Sequence, residues 1–416
     1  MVVTVVGLGF VGLTTALGFA KYGHKVYGIE ANLERFKIIK KGNLPFAEPG
    51  LDKALEEYIN ISFIPTTDWD KAVADSDFIY YCVGTPYGAD GAADLTYLFG
   101  AIEQTLKAIK DTRFRVLVAK STIPPGTTAN RIIPFLKKKN TMNGNLGVAN
   151  NPEFLREGHC WEDFINSDRI VLGVEDEKSA EKLKRLYEKA NCPIYCVSFN
   201  TGEFIKYLSN TSLALLISYA NEMSMAADAI GNIDIAKAFR ILHKDKRWQT
   251  GSIRSYFYPG CGYGGYCLPK DTNAFYASAK NVGFDGQILK NVIKVNDSMP
   301  ENVAKRIIKV TGGDTDKRIG VLGLSFNPGS DDVRDTPSAK IIKELNKSGF
   351  KNIICYDPVA INGFRKNYKL ECTFEEKKQK ILAIADILAI TTAWPEFATI
   401  KEETDKPIVD CRYMLS

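Results

Sequence analysis

The feature that most constrains this chain is how it starts. A β-branched run, Met1 to Val6, passes without a break into Gly7-Leu8-Gly9-Phe10-Val11-Gly12, and a helical pattern follows. A strand that turns into a helix through three glycines at this spacing is the opening unit of a dinucleotide-binding α/β fold. Gly7 permits the tight turn, Gly9 lets a pyrophosphate approach the backbone, and Gly12 lets helix and strand pack closely; free amides at the helix N-terminus hold the phosphates. A second strand, Lys25 to Ile29, ends at Glu30, whose carboxylate accepts hydrogen bonds from an adenosine ribose and repels a 2′-phosphate. The expected cofactor is therefore NAD rather than NADP. Arg35, a little farther on, reads either as a solvated helix charge or as a cation that softens this preference.

Short β-branched runs at Phe78 to Val83, Val116 to Ala119 and Leu146 to Ala149 then alternate with longer helical patterns. That alternation describes a doubly wound parallel sheet over residues 1–198. From Thr201 to Gly231 the character changes to one stretch without proline, apolar at Phe204, Ile205, Leu208, Leu213, Leu216, Ile217, Tyr219 and Ala220. It predicts a long helix opening a helical middle domain, 199–312, which Gly312, Gly313 and Asp314 bring to an end. The strand-turn signature returns as Arg318-Ile319-Gly320-Val321-Leu322-Gly323-Leu324, with apolar runs at Ile353 to Tyr356, Ile387 to Thr391 and Pro407 to Val409. The fold class is thus α/β: two Rossmann-like doubly wound parallel-sheet domains, the second at 313–416, joined by a long-helix middle domain.

A chain of 416 residues, 45% apolar and 25% charged, is long enough for two or three domains with separate cores. Its 54 basic and 49 acidic residues give a net charge of +5 without long like-sign blocks. That balance argues against nucleic-acid and membrane partners and suits an anionic ligand. With no basic n-region, cleavage site or spanning apolar run, the chain is expected to stay in the cytoplasm. Nine cysteines are scattered, with only Cys192 and Cys196 close together. Neither a disulfide framework nor a zinc cage is indicated, no metal is expected, and eight of the nine read as small buried apolar residues.

The ninth, Cys267, lies in Pro259-Gly260-Cys261-Gly262-Tyr263-Gly264-Gly265-Tyr266-Cys267-Leu268-Pro269-Lys270-Asp271, a loop between helical stretches. Its glycines allow close backbone approach to a ligand, and Lys270 beside Cys267 is expected to hold the sulfur partly as thiolate. A glycine-rich turn with a buried cysteine is the plainer alternative. Two pairs four residues apart share a helix face if their segments are helical: Glu153 with Glu157, and Lys206 with Asn210. Either pair by itself is most often a solvated face.

Taken together, the motifs resemble the UDP-glucose dehydrogenases within the wider UDP-glucose/GDP-mannose dehydrogenase family. The matching stretches run in order along nearly the whole chain: Gly7 to Gly12, Gly84-Thr85-Pro86, Gly91 to Leu95, Ser121 to Thr127, Asn151 to Gly158, the cysteine loop, and Phe326 to Arg334. The resemblance implies an N-terminal NAD domain, a long-helix dimerisation domain in a homodimer, and a C-terminal UDP-binding domain. It implies a two-step, four-electron oxidation of a UDP-sugar, UDP-glucose to UDP-glucuronate, of the kind that serves polysaccharide biosynthesis. Cys267 becomes the nucleophile, passing through a thiohemiacetal and a thioester, with Lys206, Asn210, Asp271, Thr122 and Glu153 around it. Val11, Glu30, Arg35, Thr85, Thr122, Glu157, Lys270 and Arg334 match cofactor-contacting positions. Leu155, Lys206, Asn210, Tyr256 to Gly260 (Tyr258 among them), Gly264 and Phe326 match sugar-nucleotide contacts.

Some positions depart from the family pattern. Glu30 stands where Asp is usual, Asn327 where Lys is usual, and Ser255-Tyr256-Phe257-Tyr258 is more aromatic than the common version. The family's intersubunit arginine has two candidates, Arg247 and Arg254, and neither is assigned. Enzymes acting on 2-acetamido sugars carry a Gly-Gly-His-Cys loop where this chain has Gly264-Gly265-Tyr266-Cys267, which favours UDP-glucose over UDP-GlcNAc or UDP-ManNAc. The remaining alternative is a nucleotide-sugar-binding protein without turnover.

Overall fold

A computed structural model describes residues 1–88, 91–139, 144–245, 248 and 256–415. Arg247 and Arg254 lie outside the described residues. The chain divides into two compact units, Met1–Leu208 and Ser209–Ser416.

In the first unit the described strands are β1 (Val2–Val6), β2 (Lys25–Ile29), β3 (Phe63–Thr66), β4 (Phe78–Tyr81), β5 (Arg115–Ala119), β6 (Leu146–Asn150), β7 (Ile170–Val174) and β8 (Ile194–Val197). They form one sheet in the order β3-β2-β1-β4-β5-β6-β7-β8. Every pairing is parallel except β6 with β7, which is antiparallel. Side chains alternate across a strand, so each strand feeds two cores. Phe78 and Tyr80 enter one apolar cluster with Val3, Val116 and Leu172, while Ile79 and Tyr81 enter another with Val6, Leu117 and Val148. This explains the unbroken apolar runs: both faces are covered.

Strand order reverses at β1, between β2 and β4, and open α/β sheets bind ligands in the crevice at the carboxyl ends beside such a switch. Gly7, Glu30, Cys82, Lys120 and Asn151 follow directly on the carboxyl ends of β1, β2, β4, β5 and β6. The sequence reading omits β3, β7 and β8. β3 contains Pro65, tolerated because β3 is an edge strand, and the proline masks its strand pattern.

The long helix spans Phe199–Ile230, within a residue or two of the expected bounds. In the second unit, β9 (Ile319–Leu322), β10 (Ile353–Tyr356), β11 (Thr373–Phe374), β12 (Ile387–Ile390) and β13 (Ile408–Asp410) form an all-parallel sheet in the order β11-β10-β9-β12-β13. The helix Gln287–Thr311 ends where Gly312 adopts the left-handed conformation that glycine supplies without steric cost. The two sheets begin alike: Gly7 N–H donates to Ile29 O and Gly323 N–H to Tyr356 O, both at 2.8 Å. Among the described residues no helix is long and apolar enough to cross a membrane. All nine cysteines are free, and Cys196 is exposed on edge strand β8 rather than buried.

Candidate active site

The glycine turn has the shape its sequence implies. Gly7 sits at φ +89°, and a Cβ there would lie 2.9 Å from Cys82 O. A Cβ on Gly12 would fall 1.7 Å from Gly7 O, so helix and turn touch backbone to backbone, whereas a Cβ on Gly9 would meet nothing within 4 Å. Gly9 and Val11 open the helix Phe10–Lys21 onto this free space, where helix-terminal amides suit a pyrophosphate. Glu30 is buried, and its Oε2 accepts from Leu8 N at 2.9 Å while its Oε1 accepts from Asn32 N at 2.8 Å. Arg35 Nη1 lies 3.3 Å from Glu30 Oε2, so Arg35 is more than a solvated charge: it braces the carboxylate. Thr85 donates to Thr122 O at 2.8 Å, fastening the segments after β4 and β5 together. These residues fit NAD.

Glu153 and Lys206 form a second cluster in the same unit. Lys206 Nζ is 2.8 Å from Glu153 Oε1, and Leu155 N donates to Glu153 Oε2 at 2.6 Å. Both side chains are buried, and the Lys206 ammonium also faces the Phe154 ring. Burial opposes ionisation of Glu153, but Lys206, the Leu155 amide and Lys120 outweigh it and hold the carboxyl below its ordinary range. The expected helical face joining Glu153 to Glu157 does not exist. Residues 151–156 are irregular and a turn follows. Pro152 and Gly158, at φ +87°, disfavour a helix there, and the carboxylate is held instead by Leu155 N.

Two residues of this region escape the sequence reading. Lys120, next to Ser121 and Thr122, is buried with Nζ 3.0 Å from Asn151 Oδ1. Glu203, in the first turns of the long helix, accepts from Gly126 N at 2.6 Å, Thr128 N at 2.7 Å and Thr128 Oγ1 at 2.6 Å. It thereby anchors the chain that follows Thr122. Their signal in the sequence is only a charge directly after an apolar run or among apolar helix residues.

In the second unit the cysteine loop ends at Tyr266, five residues before the expected end at Asp271. Cys267 is not in a loop but is the first residue of the helix Cys267–Asn281. Pro269 belongs to the first turn of that helix, where its missing N–H costs nothing. Lys270 and Asp271 then fall in the same opening turns. Asp271 is fully buried; its Oδ2 accepts from Asn210 Nδ2 at 2.6 Å and its Oδ1 pairs with Lys270 Nζ. Burial would lower the Lys270 pKa, yet Asp271 and Cys267 together raise it, so the ammonium stays charged beside the sulfur.

The rest of the loop is seated in detail. Gly260 N donates to Asn221 Oδ1 at 2.7 Å, and a Cβ on Gly260 would come within 3.2 Å of Arg412 Nη1, a cation the sequence reading did not single out. A Cβ on Gly264 would strike Asp335 O and Pro337 Cδ, both at 2.6 Å, so this glycine permits a close backbone crossing. The Phe326 ring packs where a Gly265 side chain would be. Arg334, clamped on Asp332, lies with its guanidinium carbon 4.3 Å from the Tyr266 ring centroid. Tyr258 donates to Tyr413 O at 3.4 Å, and Tyr256 begins the described part of the loop.

Comparison with known proteins gives concordant matches. Models of the UDP-glucose/GDP-mannose dehydrogenase family match over residues 1–191 (NAD binding domain), 200–298 (central domain) and 320–416 (UDP binding domain). A UDP-glucose 6-dehydrogenase of Bacillus subtilis is 36% identical over 95% of this chain and 88% of its own. One of Haloferax volcanii is 33% identical over 97% of this chain and 94% of its own. Among solved structures, a UDP-glucose dehydrogenase of Pyrobaculum islandicum superposes with a TM-score of 0.92 at 36% identity, covering 99% of this chain and 94% of that one. A UDP-D-ManNAc dehydrogenase of Pyrococcus horikoshii gives 0.86 at 27% identity, covering 100% and 96%.

Proposed function

Because this chain belongs to the UDP-glucose/GDP-mannose dehydrogenase family, we propose that it converts UDP-glucose to UDP-glucuronate in two successive oxidations, as an NAD-dependent UDP-glucose 6-dehydrogenase. NAD, when bound, accepts a hydride in each oxidation. The Glu30 carboxylate takes the adenosine ribose, the amides after Gly9 take the pyrophosphate, and Thr85, Thr122, Glu157, Lys270 and Arg334 are assigned to cofactor contacts on the family pattern.

The observation that carries the chemical reading is the helix opening at Cys267 with Lys270, Asp271 and Asn210 tied together beside it. In the first oxidation the sugar C6 hydroxyl loses a proton and C6 a hydride. On the family pattern Lys206 and Asn210 are each assigned to stabilising the developing alkoxide, and Asp271 and Thr122 to the transfer of the proton through water. Cys267 adds through sulfur to the resulting aldehyde carbon, giving a thiohemiacetal that retains the aldehyde. Loss of the second hydride from the same carbon, with the hydroxyl proton again passing to water, leaves a thioester. Glu153, held ionised, accepts a proton from the water that attacks the thioester carbon; the C–S bond breaks and the thiol and carboxylate are released. Overall one water is consumed, two hydrides leave and the sulfur is regenerated.

The three-part division 1–198, 199–312 and 313–416 fits this assignment of NAD, central and UDP-sugar roles. The long helix also carries an exposed face at Phe204, Leu208, Leu215 and Tyr219, spaced four or seven residues apart, which supports a homodimer through that face. Leu155, Tyr256, Tyr258, Gly260, Gly264 and Phe326 are assigned to the sugar nucleotide. The test is to incubate the purified protein and NAD with UDP-glucose, UDP-GlcNAc and UDP-ManNAc separately and identify products by mass spectrometry. UDP-glucuronate from the first alone supports the reading. Acids from an acetamido sugar alone would move the substrate, and no acid from any would leave a binding protein.

A further inference from the structure

Among the described residues, Lys120 is the one buried cation of the first unit's ligand edge to which the proposed chemistry gives no task. It follows β5 directly, at the carboxyl end of the sheet. No carboxylate is within ion-pair distance of it among the described residues; its hydrogen bonds go to Asn151 Oδ1 at 3.0 Å and Asn151 O at 3.4 Å. Asn151 is itself fixed, donating from Nδ2 to Val171 O at 2.8 Å and accepting from Tyr187 OH at 2.5 Å. Pro152 and Glu153 come next in the chain, so the ammonium grips the peptide that delivers Glu153.

A buried ammonium held only by neutral acceptors is costly unless a nearby negative charge compensates it. The titratable groups around it come from every neighbouring element. Cys82, after β4, is pushed up to about 12 by burial and so is a neutral thiol. Tyr187, whose hydroxyl meets Asn151, is raised well above its ordinary range by burial and Tyr80, and Cys160, on the Glu153 side, by burial and nearby carboxylates. Lys206, on the long helix, is a second cation. Glu153 is therefore the anion that Lys120 shares with Lys206, and the two influence each other electrostatically. Burial, reinforced by Lys206, lowers Lys120 to about 8.

We propose that Lys120 is a positioning residue for thioester hydrolysis: fixed on Asn151, it seats the Asn151-Pro152-Glu153 segment and places a second positive charge beside the carboxylate. The inference rests on the role given to Glu153 above.

The test separates grip from charge. Lys120→Gln keeps a donor for Asn151 without charge, and Lys120→Met keeps neither. Each protein is mixed with UDP-glucose and NAD at a series of pH values and quenched over time, and decay of the covalent adduct on Cys267 is followed by intact mass. In the wild type, decay slows as pH falls through the titration of Glu153. In both variants the slowing sets in about one pH unit higher, making decay about tenfold slower at a pH below both transitions. Above both transitions, where Glu153 is ionised in every protein, Lys120→Gln rejoins the wild type, whereas Lys120→Met, which has lost the grip on Asn151, stays slower at every pH. A wild-type pH profile in Lys120→Gln overturns the proposal, as does failure of both variants to fold by circular dichroism, which would make Lys120 purely structural. Absence of any adduct in the wild type would sink the catalytic reading itself and this inference with it, a result visible without either variant.

Discussion

Glu30→Ala is the sharpest test of the cofactor site. The carboxylate is 5% exposed and pinned by Leu8 N, Asn32 N and Arg35, so a ribose hydroxyl meets an acceptor that cannot turn away. One hydrogen bond to a charged acceptor contributes about 1.5–3 kcal/mol, and about 1.4 kcal/mol is a factor of ten, so KM for NAD should rise about 10- to 100-fold. The ribose is remote from the reacting carbon, so kcat should barely move. For NADP the sign reverses. A 2′-phosphate roughly 5 Å from the carboxylate is opposed by about 3 kcal/mol per unit charge at an effective dielectric constant near 20. Removing Glu30 lifts that repulsion and releases Arg35 to pair with the phosphate. Initial rates with both cofactors at saturating UDP-glucose measure the effect. An unchanged KM for NAD together with continued rejection of NADP would refute the placement of Glu30 at the ribose.

Gly12→Ala puts a methyl group 1.7 Å from Gly7 O, so the helix Phe10–Lys21 must back away. The expected cost is about 3 kcal/mol or more with weakened NAD binding, read by thermal melting and cofactor titration. Glu203→Ala strands three buried donors, Gly126 N, Thr128 N and Thr128 Oγ1, and should lower the melting temperature of its unit by roughly 6–12 °C for about 3 kcal/mol lost. Asp271→Asn removes the charge that Lys270 pairs with and on which Asn210 is seated. Steady-state rates should show kcat reduced about a hundredfold or more, and a near-wild-type kcat would contradict its proton-handling role.

Much of the fold was legible because both sheets are covered on both faces, which writes strands as unbroken β-branched runs such as Val2–Val6 and Ile353–Tyr356. Where that signal weakens, the reading fails: β3 hides behind Pro65 and β11 has only two residues. β7, Ile-Val-Leu-Gly-Val, carries a full strand signal that the reading passed over. At the site, Gly7, Gly12 and Glu30 were legible because local chain geometry dictates them. The Glu153–Glu157 helix face was a misreading of local geometry, since Pro152 and Gly158 flank an irregular segment. Lys120, Glu203 and Arg412 were missed because what distinguishes them is burial and partners far apart in sequence. Lys120 finds Asn151 and Glu203 finds Thr128, and no window of consecutive residues contains either pair.

The central claim is that one cysteine carries a sugar through two oxidations, and counting reduced cofactor against a limiting amount of UDP-glucose tests it most directly. With excess NAD, the wild type should yield two NADH per UDP-glucose consumed, because the aldehyde stays bound to Cys267 until it is oxidised again. Cys267→Ser should lose that stoichiometry and turn over far more slowly. One NADH per sugar in the wild type, with free aldehyde released, or two NADH per sugar at undiminished rate in Cys267→Ser, would contradict the account.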